Sequence, residues 1–362
     1  MAAGVARFTE PRRADCPWCG STALAVLLST SDRLQAKPGR FTLEECQGCG
    51  HVFQNPRLTQ EGLDFYYRDF YDGHGEALWD FNFRRLLGAY RGRVGLCAAH
   101  GVEPTAWLDV GAGHGHFCDS ARSRWPHAVF DGLDQGDGIE RGVERGWLDQ
   151  AHRGRFTDLA GELAGRYDVV SMHHYLEHTR DPYAELDAAA RVLEAGGHLL
   201  IEVPDPQWPV ARRLGRHQLL LWNQPQHQHL IPDRNLIHAL EARDFEVVAV
   251  QRGAAHMWGA ELASLLFFTC IQANPRAPWK PEPSPWRRWG AWPALMVGAA
   301  LAMPAAVAFD SLCALAARLV DRSNTYRVLA RKRAHPAAPT ADGQDEALGG
   351  WSEPPGGARG RG

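Results

Sequence analysis

Leu108-Asp109-Val110-Gly111-Ala112-Gly113-His114-Gly115-His116-Phe117 runs from an apolar, strand-like stretch through three alternating glycines into a segment of helical spacing. Glycine tolerates positive φ and lets the backbone come close to a ligand. A turn of this kind ends at a helix N-terminus, whose free N–H groups favour negatively charged groups. Taken alone, the pattern also fits a dinucleotide fold or a plain tight turn. Two details point away from a dinucleotide site. Asp109 stands at the strand end, before the first glycine, and the spacing Gly-x-Gly-x-Gly differs from Gly-x-Gly-x-x-Gly. Further on, "FDGLDQGDGIERG" places Asp134 at the end of a second strand. A carboxylate there can accept two hydrogen bonds from a ribose diol, a role that suits any adenosine ligand, NAD included.

Outward from this turn, "AWLDVG", "AVFDGLD", "YDVVSMH" and "GHLLIEVP" are apolar runs of strand length separated by segments of helical spacing. The alternation predicts a parallel sheet with helices on both faces. Two more strand candidates follow, "FEVVAVQRG" (245–253) and "TYRVLARK" (325–332), both rich in β-branched or aromatic residues. Between them lies an insertion, 254–324. Its apolar stretches are "ELASLLFFTCIQA" (261–273) and "AWPALMVGAALAMPAAVAFDSLCALAARLV" (291–320), the latter weakened as a helix by Pro293, Gly298 and Pro304. Residues 61–104 are aromatic-rich, turning helical, and 336–362 have the Pro/Gly/Ala composition of a disordered tail.

The chain has 362 residues, 45% hydrophobic and 22% charged, with 39 basic and 42 acidic side chains. This is the balance of a soluble globular protein, and it lacks the basic excess of a general nucleic-acid binder. The first residues, MAAGVARFTEPRR, have no apolar signal-peptide core, so the expected location is cytoplasmic.

Four of the eight cysteines form two knuckles, Cys16-Pro17-Trp18-Cys19-Gly20 and Cys46-Gln47-Gly48-Cys49-Gly50. Four thiolates suit tetrahedral Zn²⁺ and leave no open position, so the expected site is structural. So small a unit lacks the core to fold unaided and would lean on the metal. A redox dithiol and a metal-free remnant are the alternatives. Cys97, Cys118, Cys270 and Cys313 are scattered and read as small buried hydrophobes.

From 105 to 253, and again at 325–332, the chain resembles the Rossmann-like S-adenosylmethionine methyltransferases of the broad ubiquinone-biosynthesis type. The resemblance rests on "LDVGAGHGHF", "FDGLD" and "GRYDVVSMHHYLEHTRDPYAELDAAARVLEAGGHLLIEVPD", then an H-x-H loop and "FEVV". It implies an α/β, Rossmann-like seven-stranded sheet with an antiparallel final strand. A zinc ribbon (1–60) and a helical cap (61–104) would precede a methyltransferase domain at 105–253 plus 325–335, interrupted by the helical insertion 254–324. It further implies that Asp109, Gly111, Gly113 and Gly115 flank the methionine part of the cofactor, and that Asp134 holds the ribose. Phe156 would border the adenine and His173 would sit beside the cofactor. The added cysteine ribbon resembles a subgroup acting in glycan, sugar-nucleotide or secondary-metabolite pathways. Its sugar C-methyltransferases carry a large C-terminal domain that has no counterpart here.

The expected reaction is in-line methyl transfer to a small-molecule or glycan-precursor acceptor, in which protein groups align the acceptor and remove its proton. Histidine is the natural base near neutral pH. The candidates are His174 and His178 after the fourth strand, and His227 and His229 in "WNQPQHQHLIPD". Tyr66, Tyr67 and Tyr71 are candidates to close the pocket. The rival functions are an NAD-dependent oxidoreductase or epimerase and a non-catalytic cofactor-binding protein with an interaction ribbon. For 254–324, either a membrane-dipping or interfacial contact or a helical lid on the domain fits the composition.

Overall fold

The computed structural model describes residues 5–68, 87–218, 221–253, 261–263, 265–266, 279 and 282–334. Tyr71, Cys270, most of 254–281 and the tail from 335 lie outside the described residues.

The cysteine-bearing segment forms three antiparallel strands, β1 (Leu24–Thr30), β2 (Phe41–Cys46) and β3 (Val52–Gln54). Helix α1 (Gln60–Tyr67) begins at Thr59, whose hydroxyl accepts the Gly62 N–H at 3.1 Å. Helix α2 (Leu87–Ala99) leads into the alternating region: β4 (Ala106–Val110), α3 (His116–Arg122), β5 (Val129–Asp134), α4 (Gly138–Glu144), β6 (Gln150–Arg153), α5 (Phe156–Leu159) and β7 (Tyr167–His173). Then come α6 (Pro182–Val192), β8 (Leu193–Pro204), α7 (Pro209–Leu214), β9 (His229–Leu230), α8 (Asp233–Glu241), β10 (Phe245–Gln251), α9 (Trp292–Val320) and β11 (Thr325–Lys332). Asp181 starts α6 by accepting the N–H groups of Tyr183 and Ala184, with Pro182 in the first turn, so "RDP" is a helix cap.

The large sheet has the order β6-β5-β4-β7-β8-β11-β10, matching the expected Rossmann-like methyltransferase fold. Strands β6, β5, β4, β7 and β8 are parallel, and β11 runs antiparallel between β8 and β10. Side chains alternate across it as the pleat requires. Leu108, Val110, Val170, Met172, Leu199 and Ile201 enter one core, while Trp107, Phe130, Val169, Leu200 and Leu329 enter the other. The strand order reverses at β4, whose neighbours β5 and β7 lead to opposite edges, and this opens a crevice between β4 and β7 at the carboxyl ends of the strands, the place where open α/β sheets bind ligands.

Two features depart from the expectations. The cysteine-bearing sheet gains a fourth strand, β9, from the loop after β8, with Val52 opposite Leu230 and Phe53 opposite His229. Helix α9 runs through Pro304 without breaking, so one lost hydrogen bond does not end a helix this long.

A buried ion cluster ties the large sheet together at its carboxyl end. Glu202 on β8 is fully buried and accepts both forks of Arg93 (α2) at 2.6 and 3.2 Å. It also takes the guanidinium of Arg327 on β11 and Nε2 of His174 at 3.1 Å. His174 Nδ1 lies 2.9 Å from Glu177 Oε1, so each ring nitrogen faces a carboxylate and both must donate. Burial opposes the charge on His174, but the bonds to Glu177 and Glu202 outweigh it and lift the pKa to about 9.

A pKa raised from 6.5 to about 9 stabilises the fold fully below pH 6.5, and this contribution is lost as the pH rises through 9. His174→Gln should therefore cost about 3 kcal/mol at pH 6, with the cost shrinking toward pH 10. Urea unfolding of both proteins at pH 6, 8 and 10 checks this. An equal loss at pH 6 and pH 10 would mean that the imidazolium charge contributes nothing.

Candidate active site and cysteine cluster

The turn after β4 is built as the glycine pattern requires. Gly111, Gly113 and Gly115 all have positive φ, at 76°, 54° and 83°. A Cβ on Gly111 would press on Tyr175 at 2.8 Å, whereas one on Gly113 would meet nothing within 4 Å. The backbone at Gly113 thus borders open space, as a ligand cradle needs. Asp134 closes the opposite wall, accepting Gly113 N–H at 3.0 Å through one oxygen and Gly136 N–H at 2.8 Å through the other. Each carboxylate oxygen can accept a further hydrogen bond.

Behind the turn, Asp109 is buried and accepts the Ser171 hydroxyl at 2.6 Å, and Ser171 in turn accepts the Trp107 indole at 2.8 Å. Burial raises the Asp109 pKa to about 7 despite the serine bond. His173, at the end of β7, lies 3.9 Å from Asp109 and edge-on to Phe117. Both its ring nitrogens are buried without a hydrogen-bond partner. Burial, reinforced by Arg93, keeps this ring neutral, with a pKa well below the usual value. An orphaned neutral imidazole beside Asp109 and the glycine cradle fits the polar end of a bound S-adenosylmethionine. Phe156 lies deeper, fully buried in the main core at the start of α5.

A second group of polar side chains gathers at the turn after β7 and the loop before β9. Glu177, His178 and His227 each bring a ligand or proton-accepting atom within 4.8 Å of the others. His227 Nδ1 is 2.8 Å from the Leu221 carbonyl, which only accepts, so Nδ1 carries the hydrogen and Nε2 keeps its lone pair. Burial lowers the His227 pKa to about 3 and also lowers that of His178. Glu177 stays ionised, with a pKa of about 2, because the bonds to His174 overcome its burial. Its second oxygen, Oε2, is buried with no partner. Tyr67 bonds His178 Nδ1 through its hydroxyl and so reaches this cluster. Tyr66 instead donates to Pro38 O and packs with Phe8, Phe41 and Leu63.

His229 is placed elsewhere. It lies on β9, with Nδ1 3.2 Å from His51 Nε2 and Nε2 3.2 Å from the Arg180 carbonyl. It joins the cysteine-bearing sheet to the large one. His174, locked between two carboxylates, supports Glu177 from behind. Sequence reading passed over Glu177, Glu202, Arg93 and Arg327. The visible signal was a charge inside an apolar strand, at "LLIEVP" and "TYRVLA", where a buried charge has to be paired.

The four knuckle thiols converge. Cys16 Sγ lies 3.7 Å from Cys49 Sγ and Cys19 Sγ lies 3.5 Å from Cys46 Sγ, with all four within 4.8 Å. Those separations are far too long for a disulfide. They match the edge of a tetrahedron with metal–sulfur bonds of about 2.3 Å, which is roughly 3.8 Å. Trp18 N–H points at Cys16 Sγ and Cys49 N–H at Cys46 Sγ, as expected around thiolates.

Residues 71–250 match a family described as "Methyltransferase domain". A ubiquinone biosynthesis O-methyltransferase of Cronobacter sakazakii is 33% identical over 118 residues, 30% of this chain and 46% of that protein. One from Escherichia coli is 30% identical over 132 residues, 33% of this chain and 52% of that protein. The chain thus spans about half the length of the curated relatives it matches. A solved 1,6-didemethyltoxoflavin-N1-methyltransferase from Burkholderia thailandensis aligns with a TM-score of 0.45 and 14% identity, covering 81% of this chain and 96% of that one. With the strand order and the glycine turn already in place, the family match makes this chain the bearer of a class I, Rossmann-like S-adenosylmethionine-dependent methyltransferase domain.

Proposed function

We propose that the chain methylates a small-molecule or glycan-precursor acceptor held between the glycine turn and the Glu177–His178–His227 cluster. The observation that carries this reading is the open cradle at Gly113, walled by Asp134 and backed by the unpartnered His173. When bound there, S-adenosylmethionine supplies a methyl group already activated on a sulfonium. Asp109, Gly111, Gly113, Gly115 and His173 then line its methionine end, Asp134 its ribose, and the segment at Phe156 its adenine.

Of the candidate bases, His178 is best suited. It is neutral, in contact with Tyr67, and faces the negative charge of Glu177, which favours proton uptake. His227, with a pKa of about 3, is a poor proton acceptor and serves as a hydrogen-bonding wall. His174 is a positioning residue, because its two carboxylate bonds leave it no proton-accepting nitrogen. His229 belongs to the junction with the ribbon. The four cysteines hold structural Zn²⁺, and their thiolates suit a reducing cytoplasmic setting.

Three outcomes are expected. Calorimetry should show binding of S-adenosylmethionine but not NAD, and Asp134→Ala should weaken it about 10- to 100-fold. Binding of NAD alone would overturn the cofactor assignment. With an acceptor found by S-adenosylhomocysteine release from a panel of phenols and sugar precursors, His178→Ala should lower kcat about 10²-fold or more. Cofactor affinity should stay unchanged, and His229→Ala should leave kcat near the parent value. Full turnover in His178→Ala removes the base. Atomic emission should find one zinc per chain, lost in Cys46→Ser together with a large drop in Tm; metal-free protein with an unchanged Tm rules the zinc out.

A further inference from the structure

The 34-residue helical stretch from Arg287 to Val320, which includes α9, is long and apolar, yet only 17% of its most apolar part is buried. A core helix of a soluble domain would be mostly covered. The buried positions, Ala299, Ala306, Asp310, Cys313 and Ala317, recur every three to seven residues and form one narrow stripe. Cys313 and Ala317 pack with Leu43 and Val52 of the ribbon and with Trp208, Leu221 and Trp222. The carboxylate of Asp310 turns inward and accepts the N–H groups of Leu262 and Ala263 at 2.8 and 3.0 Å.

Apart from Ser311 and Arg318, the exposed remainder of α9 is apolar. Leu295, Met296, Val297, Leu301, Phe309, Leu312, Leu315, Leu319 and Val320 are all 37–80% exposed. At about 100° per residue, this set fans around roughly 240° of the helix circumference. A protein partner covers one stripe of a helix, whereas lipid surrounds it. From Trp289 to Phe309 the sequence contains no charge. Beyond that run stand Trp286, Arg287 and Arg288 at one end, with Trp286 and Trp289 72% and 75% exposed, and Arg318 at the other. Tryptophan and arginine are the side chains that settle at headgroups. Strands β10 and β11 pair antiparallel in one sheet, so the chain leaves the domain and returns to it on the same side.

We propose that α9 is a monotopic membrane anchor. It is embedded lengthwise in one leaflet of an anionic bilayer, its inner stripe against the protein and its Trp286–Trp289 and Arg318 ends at the headgroups. The contact of Cys313 and Ala317 with Leu221 and Trp222 places this anchor beside the loop whose Leu221 carbonyl fixes His227. The acceptor wall would then sit close to the lipid surface.

The test is co-sedimentation of the full chain with vesicles of phosphatidylglycerol and phosphatidylcholine, with neither cofactor nor acceptor present. Its failure therefore leaves the methyl-transfer reading untouched. The pelleted fraction should rise at least tenfold with vesicles and return to background in L301E/L312E/L319E. That variant alters exposed positions only and should keep its Tm and S-adenosylmethionine affinity. Brominated lipid should quench the tryptophan fluorescence of the parent, and W286F/W289F should lose much of that quench, a readout that does not depend on the triple variant folding. A parent protein that stays in the supernatant overturns the proposal, as does a folded triple variant that pellets equally. So does light scattering that shows a lipid-free parent dimer, a monomeric variant and no sedimentation of either, because a second copy would then cover the helix.

Discussion

The carboxylate of Glu202 organises the carboxyl end of the large sheet. A lone carboxylate in the middle of an apolar strand costs far more than a domain's net stability and survives only when paired. Arg93, Arg327 and His174 supply the partners, from a helix, the antiparallel strand and the turn after β7. The pairing sets the positions of α2, β11 and that turn relative to β8 at once. Removing the carboxylate would leave two guanidinium groups facing each other in the core. The order of the β8–β11 edge and the placement of Glu177 therefore depend on one buried charge.

The ribbon is tied in by a different means. Its sheet is completed by β9, a strand of only two residues taken from the loop that also carries His227. Trp18, between the first pair of cysteines, packs at a tilt against Tyr183 of α6 and accepts the Tyr183 hydroxyl at its carbonyl, 3.0 Å away. Arg57 and Arg180 both bind Glu10, adding an ionic clamp across the same junction. The cysteine-bearing sheet thus holds in place the loop that carries His227.

Much of this was legible in the sequence, for identifiable reasons. The strands from "AWLDVG" to "GHLLIEVP" are buried on both faces and so read as continuous apolar runs. The turn at Gly111–Gly115 shows itself because only glycine suits three positive φ values so close together. Long-range choices left no such trace. Arg91 and Arg93 are near neighbours of the same type on one helix, yet Arg91 faces solvent and Arg93 is buried on Glu202. Strand β9 is too short and too polar to stand out, being specified by its partner Phe53, 176 positions earlier than His229. In α9 the apolar length was visible, but a helix greasy on nearly every side does not declare which stripe meets the protein.

Within six residues the chain places His173, His174 and His178 in three unlike environments, and the backbone explains how. His174 has φ of +50°, a left-handed conformation uncommon outside glycine. That reversal at the strand end sends His173 toward Asp109 and the glycine turn while His174 swings back onto Glu202. The 3-10 turn Leu176–His178 then presents His178 to Tyr67. One ring is kept neutral beside the glycine turn, the next is kept charged by two carboxylates, and the third is left neutral beside Tyr67. The ion cluster on Glu202 is what makes this division stable, because the left-handed residue is the one it binds. The left-handed backbone at His174 and the separation of the three histidines are therefore the same feature of the fold.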